Sequence, residues 1–404
     1  MRRRTLFALS AGLLALGWVA IAVDYARGAR RAKNLDAVAP LDEEAGEAAP
    51  ALSVVFAACN EQEKLPAALA SLRAQDYPGE FEIVAVNDRS TDATGAILDD
   101  FAATIPPNKR AVVLHVRNLP PGWLGKTHAL WQGANVAAGD WILFTDADIV
   151  FGPDALSRAL AFAERERLDH LASFFRLDLR GFWEHAFGLC FSFLFFLRFQ
   201  PWRVRDPRLP NYLGVGGFNL VRREAYHAIG THRAFALEVI DDMELGRRVK
   251  QAGFVSDVVG AADQISVRWQ EGLSGLMGGL TKNAYAGLDY SPLVLARSVA
   301  LVVGTMAWPL VGALAGRSRT ERAAHAVSLA AFVGMGAYHA KNGRIPPAYA
   351  LTLPLTPLLL GFVMLRSAWV TQTNGGITWR GTFYPLDKLR ARAVPPEPAA
   401  LDPV

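Results

Sequence analysis

The run ILFTDADIVF, Ile142 to Phe151, sets two aspartates, Asp146 and Asp148, one residue apart at the end of an apolar stretch. Burying a charge is costly unless it is paired or bound to a metal. Alternation along an extended strand would put both carboxylates on one side. There they repel unless a cation lies between them, and hard oxygen ligands suit Mg²⁺ or Mn²⁺. Mg²⁺ commonly uses one or two protein carboxylates together with substrate phosphates. The plainer alternative is a strand-end turn in which an aspartate caps the next segment.

Upstream of this run, apolar segments alternate with helical patterns. Strands are predicted at Ala51–Ala58, Phe81–Asp88, Ala111–Val116 and in the run from Trp141. Helices are predicted between them. The first follows Asn60, with Glu63 placed as in a capping box. The second starts near Ser90, and the third runs from Lys126 to Gly139. Such alternation implies right-handed βαβ units and a mainly parallel sheet, whose ligands bind beyond the C-terminal strand ends. Asn60 and Glu61 follow the first strand, and Asn87, Asp88 and Arg89 stand at the end of the second. No GxGxxG follows the first strand, which disfavours a dinucleotide site.

Further motifs lie outside the strands. Asp241 and Asp242 open a helical pattern ending before Gly253. They read either as acids favoured by a helix N-terminus or as a general base with a neighbour that raises its pKa. Gly125-Lys126 opens a helix after a Pro-Pro-Gly loop, which places Lys126 near a phosphate or leaves it a solvated lysine. Gly214, Gly216 and Gly217 precede a strand-like FNLV, so the backbone there allows a close ligand or a tight turn. Arg268 and Trp269 serve as a diphosphate clamp and acceptor platform, or as an interfacial anchor pair.

The chain has 404 residues, 51% hydrophobic and 20% charged, and its net charge is +4. That balance suggests a soluble domain joined to membrane segments. The scattered basic residues disfavour nucleic acid and suit anionic lipid. Two cysteines, Cys59 and Cys190, give no disulfide framework. Thr5–Val23 is predicted as an uncleaved anchor, with apolar runs at Leu293–Gly316, Ala323–Ala340 and Ala348–Leu365. The stretch Ala186–Trp202 reads as an interfacial or a core helix. Basic residues after the first span place the following domain in the cytoplasm. The expected divisions are an anchor over 1–33, a linker over 34–50, a catalytic domain over 51–290, a transmembrane region over 291–367 and a basic tail over 368–404.

Four motifs in order now carry a resemblance. AACNEQE resembles the Pro-x-x-Asn-Glu opening of the family 2 inverting glycosyltransferases, with Ala57 in the proline position. VNDRSTD resembles their Val-Asp-Asp-Gly-Ser-Thr-Asp, with Asn87 replacing the first aspartate. TDAD resembles their metal motif, and IDDMELGRRVKQAG resembles their Glu-Asp catalytic helix, with Asp241 in place of Glu. The resemblance covers roughly residues 51 to 285 and implies the GT-A-like nucleotide-diphospho-sugar fold, a mixed, mainly parallel α/β sheet flanked by helices. It implies transfer of a sugar from a nucleotide-diphospho-sugar, a UDP-sugar, to a lipid or lipid-linked hydroxyl at a bacterial inner membrane. Asn60, Glu61, Asp88, Lys126 and Asp146 would bind the donor. Asp146 and Asp148 would hold Mg²⁺ or Mn²⁺. Asp242, with Asp241 beside it, would be the base. Gly216, Gly217, Arg268 and Trp269 would line the acceptor and diphosphate side. GWLGKTHALWQGA and the tail WRGTFYPLDKL are similar to lipid-modifying members, the hopanoid-associated subgroup among them. Gln264 stands one residue too far from Arg268-Trp269 for the processive Gln-x-x-Arg-Trp motif, which favours single transfers. A nucleotidyltransferase on the same sheet and a non-catalytic membrane scaffold are the alternatives.

Overall fold

The computed structural model describes residues 2–41 and 49–395. Chain contacts divide it into two units that interleave along the sequence. One gathers residues up to Ala32 with Leu179–Gln200 and Gln270–Ile377. The other gathers Lys33–Asp178, Pro201–Trp269 and the chain from Thr378 on. The division is therefore discontinuous, unlike the contiguous limits expected from sequence. Residues 42–48 of the expected linker and 396–404 of the expected tail lie outside the described residues. The first part of that linker is packed: Leu35 and Val38 are buried in the main core.

The sheet unit is built on eight strands: β1 (Lys33–Asn34), β2 (Leu52–Ala58), β3 (Phe81–Asp88), β4 (Arg110–Val116), β5 (Trp141–Asp146), β7 (His170–Phe174), β9 (Asn219–Arg222) and β10 (Ser256–Gly260). Their order is β1-β10-β7-β9-β5-β2-β3-β4. All neighbours are parallel except that β9 runs antiparallel to β5 and β7. The expected mixed, mainly parallel sheet is thus observed. Val54, Val55, Ile83 and Val84 are fully buried, as strands covered on both faces require. A smaller sheet pairs β11 (Ile265–Val267) with β6 (Ile149–Phe151) and β8 (Arg176–Leu177). In the tail, β12 (Gly376–Trp379) leads to β13 (Thr382–Pro385).

Three local expectations are corrected. The run from Trp141 is not one strand: β5 ends at Asp146, Ala147 and Asp148 turn, and β6 joins the other sheet. Asn60 does not cap a helix. The helix begins at Leu65 with a proline in its first turn and no side-chain cap. Asn60 adopts a φ of 55°, and its Oδ1 accepts the Thr91 N–H at 2.8 Å, tying two loops together. The helix after the Pro-Pro-Gly loop spans Gly125–Val136, so Gly139 is not its terminator. Gly139 instead lies against the Ser53 backbone, where a Cβ would stand 2.6 Å from the Ser53 nitrogen.

In the other unit, three helical stretches among the described residues are long and apolar enough to cross a membrane: Thr5–Ala29, Gly181–Arg203 and Pro292–Ala315. The second contains the run Ala186–Trp202. Ala323–Ala340 lies within the helix Arg319–Asn342 and falls short of that standard. Ala348–Leu365 is not one helix: a 3₁₀ turn at Pro347–Thr352 precedes the helix Thr356–Thr373. Pro354 and Pro357 explain the break, since proline removes an amide donor and clashes with the preceding turn. Leu6, Leu9, Leu13 and Leu16 leave an exposed apolar face on the first helix.

The helix Asp241–Gln251 carries Asp241, Asp242 and Glu244 in its first turn and Arg248 and Lys250 in its last, matching the helix dipole at both ends. Gly246 lets this helix meet the loop before β9, because a Cβ there would collide with the Leu213 carbonyl. Gly246→Ala is expected to lower stability by about 1–3 kcal/mol through overpacking. Thermal unfolding in detergent measures this, and an unchanged midpoint contradicts the packing described.

Candidate active site

The polar residues of the sheet unit collect at the C-terminal ends of β2, β3 and β5. Lys126 stands at their centre, in the first turn of the helix Gly125–Val136. Its Nζ lies 2.9 Å from Asp146 Oδ1 and 3.5 Å from Asp241 Oδ1. Burial alone would lower its pKa. The charges of Asp146, Asp241 and Asp242 outweigh that and raise it above the usual lysine range. It is not the solvated helix-start lysine of the plainer reading.

Asp242 Oδ2 accepts the Gly216 N–H at 2.8 Å. Burial first, and then the neighbouring Asp241 charge, push its carboxyl above the ordinary range, with Lys126 opposing them. A Cβ on Gly216 would stand 3.0 Å from Asp146 Oδ2 and 3.4 Å from Asp242 Oδ2. Carboxylates almost a hundred positions apart thus flank one glycine. Gly214 is as closely held, since a Cβ there would collide with the Asp242 carbonyl. Asn219 on β9 fixes this loop. Its amide donates to the Asp242 carbonyl at 3.2 Å, and its Oδ1 faces the Val215 N–H at 3.4 Å and His170 Nε2 at 3.0 Å. His170 is buried, and burial lowers its pKa to about 4, so it is neutral.

Asp148, in the turn, faces a different lysine. Lys64 Nζ lies 3.2 Å from Asp148 Oδ2 and donates to the carbonyls of Arg268, at 2.9 Å, and Trp269, at 3.3 Å. That lysine therefore joins the aspartate to the Arg268-Trp269 segment. Arg268 Nη1 donates to the Asp178 carbonyl at 2.8 Å. Burial, then the Asp146 charge, raise the Asp148 pKa to about 6, against the pull of Lys64. Gly217 packs on Phe175 and Ile149, where a Cβ would come within 2.5 and 2.7 Å of side-chain carbons.

On the far side, Asp88 ends β3 and is 3% exposed. Arg89 grips both its oxygens, at 2.7 and 3.0 Å. Glu61 pairs with Arg380 of the tail, and its backbone N–H donates to Thr94 Oγ1 at 2.9 Å. Arg89 Nη1 donates to Thr382 Oγ1 at 3.0 Å, and the Tyr384 hydroxyl accepts the Gly125 N–H at 3.1 Å. Asp88, Lys126, Asp146, Asp241 and Asp242 therefore lie around one strand-end cleft, with Asp148, Arg268 and Trp269 joined to its edge through Lys64. Asn60 is exposed in the loop after β2. Sequence reasoning missed Lys64, Asn219, Arg380, Thr382 and Tyr384. The tail residues were visible only as part of a motif, with nothing local to place Arg380 against Glu61, 319 positions away.

Residues 53–230 match the family model described as Glycosyl transferase family 2. That stretch is a family 2 glycosyltransferase domain, and the chain is a glycosyltransferase. It is 24% identical over 344 residues to the 4,4'-diaponeurosporenoate glycosyltransferase of Staphylococcus aureus (strain USA300), covering 84% of this chain and 89% of the relative. Its fold is similar to that of a mannosyltransferase from Pyrobaculum calidifontis, with a TM-score of 0.54 and 18% identity over 92% of this chain and 99% of the other. The sheet is thus of the GT-A-like type. The scaffold alternative is set aside.

Asp148 gives a pH prediction. A carboxyl whose folded pKa exceeds its unfolded value favours the folded state while protonated. That contribution is complete below about pH 4 and is lost as pH rises through about 6. Without nucleotide or divalent ions, Asp148→Asn should equal the wild type in stability near pH 4 and exceed it by roughly 1–3 kcal/mol above pH 6. Chemical denaturation across that range measures this, and a pH-independent difference contradicts it.

Proposed function

We propose that this protein is a membrane-bound inverting glycosyltransferase moving one sugar from a nucleotide-diphospho-sugar, a UDP-sugar, to a hydroxyl of a lipid acceptor. The observation that carries the reading is the meeting of Asp146 and Asp242 beside Gly216, with Lys126 between the acidic groups. A single displacement needs a base on one side of the sugar and stabilisation of the departing diphosphate on the other.

Asp242 is the base. Its raised pKa brings it nearer the operating pH, where proton abstraction from an acceptor hydroxyl is most effective. The Gly216 N–H holds Oδ2 of this carboxylate in place. Lys126 offsets the repulsion among Asp146, Asp241 and Asp242, which lets the base approach the donor site. Glu61 and Asp88 hold the nucleoside, with Asn60 tying the loops after β2 and β3 together. Arg268 and Trp269, together with Gly216 and Gly217, shape the acceptor side.

Asp146 and Asp148 are the residues that would hold Mg²⁺ or Mn²⁺. Among the described residues no group of three or more His, Cys, Asp or Glu is placed to hold a metal alone. Two hard carboxylates fit an ion that is completed by a substrate diphosphate. Burial, and then the Asp146 charge, disfavour the ionised Asp148, and a cation between the two carboxylates would offset both. When bound, the ion would supply charge stabilisation to the leaving diphosphate. The Pyrobaculum calidifontis mannosyltransferase was solved with GDP-Man and Mn²⁺, which supports the same donor chemistry here.

The three apolar helical stretches anchor the enzyme in the membrane, with the catalytic unit facing the cytoplasm. The relative's name specifies a diaponeurosporenoate, which supports an apolar acceptor. The Ile240-Asp241-Asp242 form and the tail motif favour the hopanoid-associated subgroup. Asp242→Asn is expected to lower transfer by about 10²–10⁴-fold while leaving nucleotide affinity unchanged. A radiolabelled-sugar transfer assay paired with calorimetric titration of UDP tests this, and retained turnover removes Asp242 from the role.

A further inference from the structure

The nucleoside end of the cleft is closed. Asp88 is 3% exposed, and Arg89 occupies both its oxygens. Arg89 adopts a φ of 56°, in the left-handed region. Glu61 is taken by Arg380. Both carboxylates assigned to the nucleoside are therefore already paired with guanidinium groups.

The tail holds this arrangement at several points. Thr382 and Tyr384 alternate on β13 and so project to one side. Thr382 accepts from Arg89, and Tyr384 accepts the Gly125 N–H. Further on, Arg392 pairs with Glu238 at 3.2 Å, and Arg233 Nε donates to the Pro395 carbonyl at 3.2 Å. Glu238 lies three residues before Asp241. One stretch of chain thus runs from the nucleoside carboxylates, past the first turn of the Lys126 helix, to the segment before the base.

We propose that residues 380–395 form a strap that gates the donor cleft. Docked, it occupies Glu61 and fixes Arg89 over Asp88. The nucleoside gains Glu61 when Arg380 lets go, and Asp88 when Arg89, released by Thr382, turns away from it. The proposal rests on the nucleoside roles given above to Glu61 and Asp88. Opening is local and inexpensive: residues 380–382 lift while Tyr384, Leu386 and Leu389 stay buried, and the Arg380–Glu61 pair is part-exposed, with side chains 44% and 18% accessible, so it contributes little. A closed fraction weakens apparent affinity by that fraction, so releasing the strap strengthens it.

The test uses the full-length protein in detergent, with UDP and GDP as probes in the presence of Mn²⁺. Arg380→Ala is expected to lower the Kd of whichever nucleotide binds by about two- to five-fold. In the wild type, saturating nucleotide should speed hydrogen exchange over residues 378–385, and in the variant that exchange should be fast without nucleotide. Thr382→Val, which frees Arg89, should act in the same direction, and thermal unfolding checks that both variants fold. Weaker or unchanged nucleotide affinity in the variants, or slower exchange in the wild type on binding, overturns the gate alone. Failure of both nucleotides to bind either protein overturns the donor reading and the gate with it.

Discussion

Lys126 is the countercharge on which the cleft depends. Asp146 comes from the end of β5, and Asp241 and Asp242 come from a helix almost a hundred positions later. Three carboxylates brought together in a part-buried space repel one another and lose hydration. The ammonium 2.9 Å from Asp146 and 3.5 Å from Asp241 offsets both costs. Removing it would leave an uncompensated acidic cluster, a change that in buried sites costs about 3–5 kcal/mol. The lysine is set where it is needed because it occupies the first turn of a helix following β4, at the sheet edge where strands β2, β3 and β5 end.

Close backbone approaches complete the arrangement. Gly214 and Gly246 let the β9 loop and the Asp241–Gln251 helix touch through their main chains. That contact sets Asp242 against the Gly216 N–H. Asn219 and His170 hold the loop from within the sheet, and the neutral imidazole adds no charge to an already acidic centre. The second lysine, Lys64, treats Asp148 in the same way and joins it to the Arg268-Trp269 carbonyls. Two lysines thus neutralise an aspartate pair whose proposed partner is a cation shared with a diphosphate.

Much of this was legible in the sequence because local rules agree with the global fold. Phe81–Asp88 is a strand in the sequence pattern and in the structure, since a β-branched apolar run between polar caps has few alternatives. The convergence of strand-end polar residues follows from parallel topology. The break at Ala147 was not legible, because an Asp-Ala-Asp alternation reads equally well as extended strand or turn, and only the second sheet decides between them. The role of Lys126 was open for a similar reason: a lysine at a helix start looks the same whether it meets water or three carboxylates. The proline pair at Pro354 and Pro357 did carry a local signal against a continuous span over Ala348–Leu365, one that apolar content concealed. The tail contacts carried none, because pairing across more than 300 positions leaves no periodicity to read.

The central claim is that distant carboxylates assemble one donor site. An anomalous-scattering map of the full-length protein with a bound nucleoside diphosphate and Mn²⁺ tests it most directly. The account predicts a manganese peak held by Asp146 and Asp148 and by the diphosphate, with the nucleoside toward Glu61 and Asp88. Nucleotide density away from this strand-end cleft, or manganese bound to other residues, would contradict it.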